Sequence, residues 1–92
     1  MGHISNRELL ERVDDVAKRV EVGAYYRHSK SGGVVQILHL GLDEATEKPV
    51  VIYKHEEDSA EELIWVRDAD VFLSKDEING QSVPKFIKIK EK

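Results

Sequence analysis

The hydrophobic repeat of this chain changes once, at Gly23, and that change dictates a helix followed by a sheet. Before it, Leu9, Leu10, Val13, Val16, Ala17 and Val20 recur with helical spacing and form one apolar stripe. After it, apolar residues alternate with period two between clusters of turn-forming residues. A chain with this layout is an α+β domain: an N-terminal amphipathic helix, then a small, strongly bent antiparallel sheet or SH3-like barrel of five or six strands. Its 92 residues suffice for a single domain over 1–92, with the helix at 5–21 and the β domain at 22–90.

The helix is well punctuated. Ser5 stands at the N-cap, Glu8 closes a capping box, and Ile4 with Leu9 forms a hydrophobic staple. Glu8 precedes Arg12, Asp14 precedes Lys18 and Asp15 precedes Arg19, each by four residues in the favoured order. Burying a large aliphatic residue is worth about 1.5–3 kcal/mol, so the stripe must lie on the sheet or on a partner chain. Packing on its own sheet is expected, which makes the protein a monomer or a weak homodimer through the helix.

Strands are expected at Ala24–His28, Val34–Leu42, Val50–His55, Leu63–Arg67 and Lys85–Lys90. Ser29-Lys30-Ser31-Gly32-Gly33 is a turn, Asp43–Pro49 a polar connection and Glu56–Glu62 an acidic one. Asp68–Phe72 reads as one helical turn capped by Asp68, and Asn79-Gly80 as a tight hairpin. The alternate lysines Lys88 and Lys90 suit an edge strand or a solvent face.

Composition narrows the function. The formal net charge of −4 disfavours generic attraction to nucleic acid or anionic lipid. The absence of cysteine rules out a disulfide frame and a thiolate metal site, and fits a cytoplasmic setting. No apolar run reaches the ~18 residues of a membrane span, and no membrane association is expected. His28, His39 and His55 fall on separate strands without paired spacing, so no metal and no cofactor is expected. The acidic stretch Glu56-Glu57-Asp58 with Glu61-Glu62 lacks the glycine and spacing of a calcium loop. None of the serines sits in a nucleophile elbow.

The chemistry-bearing words pair rings with cations: Tyr25-Tyr26-Arg27-His28-Ser29-Lys30, Ile64-Trp65-Val66-Arg67 and Pro84-Lys85-Phe86. On strands, Tyr26 shares a face with His28, and Trp65 with Arg67. Neighbouring strands would merge them into a surface that grips an anion and stacks a ring. The competing expectation is that Trp65, Tyr53 and Phe86 fill a thin core while Arg67 and His28 cover their edges.

These words resemble the bacterial domain-of-unknown-function family 1653. The resemblance runs from Val22 to Ile89 and rests on Tyr26-Arg27-His28, Lys30, Thr46-Glu47, Val51-Ile52-Tyr53, Trp65-Val66-Arg67, Phe72 and Pro84-Lys85-Phe86. The chain departs from the family pattern in four places. Ser29 replaces an aromatic, Asp68 a proline, Lys85 an arginine, and Asp43 the histidine that opens the acidic-threonine connection. The resemblance implies a fold and no agreed activity.

The expected function is a non-catalytic binding module recognising a protein or a small anionic ligand through Tyr26, Arg27, His28, Lys30, Trp65 and Arg67. The alternative is a small enzyme, or a nucleotide- or nucleic-acid-binding protein, with His28 and Arg67 in a site formed between chains.

Overall fold

The computed structural model describes residues 5–56 and 63–90. The elements are α1 (Asn6–Ala17), β1 (Tyr25–His28), β2 (Val34–Leu42), β3 (Pro49–His55), β4 (Trp65–Asp68), α2 (Ala69–Phe72), β5 (Lys75–Ile78), β6 (Gln81–Pro84) and β7 (Phe86–Ile89). Five strands form an antiparallel sheet in the order β4-β3-β2-β1-β7, and β5 pairs with β6 in a separate hairpin. The sheet is open rather than a closed barrel, because β4 and β7 remain its two edges. The sheet has five strands, within the expected five or six, and the Asn79-Gly80 hairpin adds a separate pair. That pair, Lys75–Ile78 and Gln81–Pro84, has little apolar alternation. Its turn is the clear signal: Asn79 and Gly80 both take positive φ, 53° and 79°, as a two-residue hairpin requires.

The sheet is strongly curled. Four strand spacings of ~4.8 Å would set β7 roughly 19 Å from β4 in a flat sheet. Yet the Arg67 guanidinium on β4 lies 5.5 Å from the Phe86 ring centre on β7. The Tyr53 and Phe86 rings, three strands apart, are 6.1 Å apart. The concave face closes over Val35, Ile37, Val51, Tyr26, Tyr53, Phe72 and Phe86, which are buried together.

A bulge in β2 keeps that face apolar. Ile37 pairs with Tyr53 and His39 with Ile52, leaving Leu38 as the extra residue. Regular alternation from Val35 and Ile37 would turn His39 inward and Leu40 outward. The inserted residue reverses that: Leu40 pairs with Val51 and packs on the core, while His39 is exposed.

Helix α1 begins as its sequence requires, with Ser5 Oγ accepting the Glu8 backbone N–H at 3.2 Å. The helix stops at Ala17 rather than near residue 21. Arg19 and Val20 both donate backbone N–H groups to the Val16 carbonyl at 2.8 Å, which tightens the last turn and drops Val20 into the core. Gly23 does not end the helix; at φ 91° its N–H bonds to Ile37 and launches β1. The apolar stripe is narrower than its period suggests. Val16 and Val20 are buried, Leu9 and Val13 half-buried, and Leu10 and Ala17 exposed.

The expected four-residue ion pairs give way to other contacts. Lys18 meets Asp15 at 3.8 Å in a well-exposed pair, and Arg12 donates to the Glu47 carbonyl at 2.9 Å, tying α1 to the β2–β3 turn. Asp68 precedes α2 but makes no side-chain cap bond. Ile4 of the proposed staple and positions 57–62 of the acidic connection lie outside the described residues.

Candidate functional site

The concave face carries a row of rings. Phe72 and Phe86 stack at 4.2 Å with planes 5° apart. His28 meets Phe86 edge-on at 4.9 Å. From there the row passes to Tyr53, to His55 at 5.8 Å, and to Trp65 a further 5.5 Å on. It begins in the core and ends at the open edge, where Trp65 is 43% exposed. Aromatic residues fill the centre of the core, and only the rim of the row meets solvent.

Arg67 lies across this row. Its Nε donates to the Tyr53 hydroxyl at 3.2 Å, and its guanidinium lies 5.5 Å from the Phe86 ring centre. These two contacts orient a planar fork whose geometry suits carboxylate and phosphate. No ion pair to Arg67 forms among the described residues.

His28 is fixed by the turn that follows it. Its Nδ1 accepts the backbone N–H of Lys30 at 3.2 Å and of Ser31 at 3.3 Å. The neutral ring therefore carries its proton on Nε2. Burial holds the imidazole below its ordinary pKa, and the Lys85, Arg67 and Lys30 charges act in the same direction against the opposing pull of Asp76. Lys85 in turn donates to Asp76 Oδ1 at 2.7 Å, with both side chains largely buried. That hydrogen bond holds the Asp76 carboxyl below its usual value. Asp76 Oδ2 is buried without a hydrogen-bond partner among the described residues.

A pH dependence follows. The folded state lowers the pKa of His28, so its contribution to stability is present above about 6.5, the unfolded value. It is lost as pH falls through the lower folded value. Urea titrations from pH 7.5 downward should show wild type losing more stability below about 6.5 than His28→Asn, which keeps an acceptor near the Nδ1 position. Parallel curves for the two proteins would refute the assignment.

The six expected site residues divide. His28, Lys30, Arg67 and Trp65 lie on or around the concave rim. Tyr26 does not: it is buried, 5% exposed, packs edge-on against Phe72 and accepts the Glu21 backbone N–H at 3.1 Å through its hydroxyl. Arg27 is exposed on the convex face, opposite Ile87 and Val34. The strands bearing His28 and Trp65 are not neighbours, since β2 and β3 separate them. Strand pairing sets His28 opposite Phe86, and curling of the sheet brings Arg67 over to them. Lys85, Asp76 and Tyr53 were not among the expected site residues. Lys85 was legible as part of an aromatic-basic word, whereas nothing in the sequence marks Asp76.

Other features play different parts. Asp43, where a family histidine would stand, builds a turn: its Oδ1 accepts the N–H of Ala45 at 2.8 Å and of Thr46 at 3.3 Å. An open groove of about 240 Å³ lies between α1, the start of β3 and α2, lined by Arg12, Asp15, Arg19 and Asp70 among others. Its charges are balanced, and it includes none of the rings. Among the described residues no three His, Asp or Glu side chains gather as metal ligands, and no helix is long and apolar enough to cross a membrane.

The fold and this rim define a small α+β domain with an aromatic and basic cluster on one face of a curled sheet. The chain belongs to a protein family of unknown function, DUF1653, whose model matches residues 24–88. A crystal structure of a protein of that family from Bordetella bronchiseptica is similar at a TM-score of 0.67 and 20% identity, over 80% of this chain and 94% of that one. At that identity the likeness is one of fold. No curated protein matches the chain. The matched span, residues 24–88, leaves out α1 and the turn after it, which bury Val16 and Val20 in the core.

Proposed function

We propose that this protein is a non-catalytic binding module of SH3-like build that holds an anionic group of a protein or small ligand at the concave rim. The observation behind this reading is the seating of Arg67: Tyr53 and Phe86 position its fork, and no carboxylate among the described residues neutralises it. Lys30 at the tip of the β1–β2 turn adds positive potential, and neutral His28 offers an Nε2–H donor. Trp65 supplies an exposed ring beside the anion. Tyr26 and Arg27 leave the proposed surface, and Lys85 joins its border.

Titration with inorganic phosphate and acetate, followed by amide NMR and by Trp65 fluorescence, tests this. Arg67→Ala should weaken anion binding at least tenfold, in line with the ~1.5–3 kcal/mol of a hydrogen bond to a charged group, while the circular dichroism spectrum stays the same. Unchanged affinity in that variant would end the proposal.

A second reading, a small enzyme using His28, draws on the fixed tautomer and lowered pKa of that ring beside Arg67. Turnover of a phosphoester or nucleotide that disappears in His28→Ala would favour it over the binding module.

A further inference from the structure

The edge strand β4 and the two residues that lead into it are unlike the rest of the surface. Leu63, Ile64, Trp65 and Val66 are consecutive large hydrophobic residues, exposed by 52, 54, 43 and 62%. The other large exposed apolar side chains, such as Leu10, Val22 and Leu42, stand singly. β4 pairs with β3 on one side, and among the described residues no strand lies on the other. Half the backbone N–H and C=O groups of such a strand point outward. Edges of this kind are normally protected by a lysine, a proline or a bulge. Leu63–Val66 contains none of these; pairing with β3 begins at Trp65 and is regular through Asp68, with the charges Arg67 and Asp68 at the far end of the strand.

The two faces of this edge differ. Trp65 and Arg67 lie on the concave side, while Val66 lies on the convex side opposite Ile52. The charges that act on His28, beside Arg67, are those of Lys30 and Lys85 against Asp76, which Lys85 bonds, and Asp68 follows Arg67 on the strand; the chain as a whole is net acidic at −4. A strand added beside β4 would therefore meet Arg67 and Trp65 on one face and Val66 with Asp68 on the other.

We infer that β4 is a docking edge for an extended segment of another protein, which joins the sheet as a sixth strand with an acidic side chain against Arg67 and β-branched or aromatic residues against Trp65 and Val66. Main-chain hydrogen bonds supply the affinity, and the alternating side chains supply the selectivity. This inference rests on the anion-binding reading of Arg67 and extends it to the class of partner.

The probe is a capped nine-residue peptide of alternating threonine and valine with a central glutamate. Its comparators are a twin with lysine at the centre and inorganic phosphate. The glutamate peptide is expected to shift the amide signals of residues 63–68 and the Trp65 emission, with the lysine twin at least tenfold weaker. Val66→Lys, at a mostly exposed position, should weaken the peptide at least tenfold and leave phosphate binding unchanged. Absence of peptide-induced shifts in β4, or equal peptide binding by Val66→Lys, overturns the docking edge. Sedimentation showing that two copies pair through β4, with Val66→Lys restoring the monomer, overturns it in favour of self-association. Phosphate binding that still depends on Arg67 would leave the anion site standing after either result. Phosphate and peptide binding that both ignore Arg67→Ala would remove the anion site itself.

Discussion

Phe86→Ala is expected to destabilise the protein by about 3–5 kcal/mol, the usual cost of emptying a buried phenylalanine site. Phe86 stacks on Phe72 at 4.2 Å, meets His28 at 4.9 Å and lies beneath the Arg67 guanidinium. It comes from β7, at one edge of the sheet, yet contacts β3 and β4 across the concave face. Its removal takes out the contact that holds the curl, as well as its own buried area. A domain of this size is expected near the low end of ~5–15 kcal/mol in total. At roughly 4–8 °C per kcal/mol, the midpoint should fall by tens of degrees, or the chain should fail to fold. Urea unfolding followed by circular dichroism measures the effect. A loss under about 1.5 kcal/mol would mean that the ring stack does not hold the curl.

Val20→Asp is expected to cost about 3–5 kcal/mol, because it leaves an uncompensated charge in a closed apolar site. Val20 is 1% exposed and packs in the same cluster as Val16, Tyr26 and Phe72. Leu10→Asp is the matching control. It belongs to the same sequence stripe but is 63% exposed, and a surface change of that kind is usually within about 0.5 kcal/mol. Thermal melts of the two variants separate a helix docked on its own sheet from one that serves a second chain. A severe loss in Leu10→Asp with a mild one in Val20→Asp would reverse the assignment.

The helix start, the nine-residue strand Val34–Leu42, the Asn79-Gly80 hairpin and the family could all be read from the chain, because each depends on neighbours in sequence. Ser5 caps through a residue three positions on, and a two-residue hairpin needs only the backbone freedom of Asn79 and Gly80. The rest was not legible. The early end of α1 depends on Val20 finding a cavity made by residues from distant strands. The bulge at Leu38 is written in the apolar spacing Val35, Ile37, Leu40, but its meaning appears only once one face of β2 is known to be covered. The candidate site was half legible: period two correctly placed Tyr26 and His28 on one face, and Trp65 and Arg67 on one face. It could not say that Tyr26 lies over the buried floor while His28 lies at the rim.

What the amino-acid order determined, unaided, was the sequence of elements and which side chains share a face, since both follow from repeats of 3.6 and 2.0 residues along a local backbone. What only the tertiary structure decided was the meeting of β7 with β4 over the concave face. That meeting turns Phe86 into a platform for Arg67, while the β5–β6 hairpin, extended by the Lys85 N–H bond to the Ser74 carbonyl, sets Lys85 beside Asp76, and the strand order leaves β4 as an open edge. Curl and edge exposure are properties of the whole sheet, set by how its twisted strands and its rings pack together, and no single stretch of the chain encodes them.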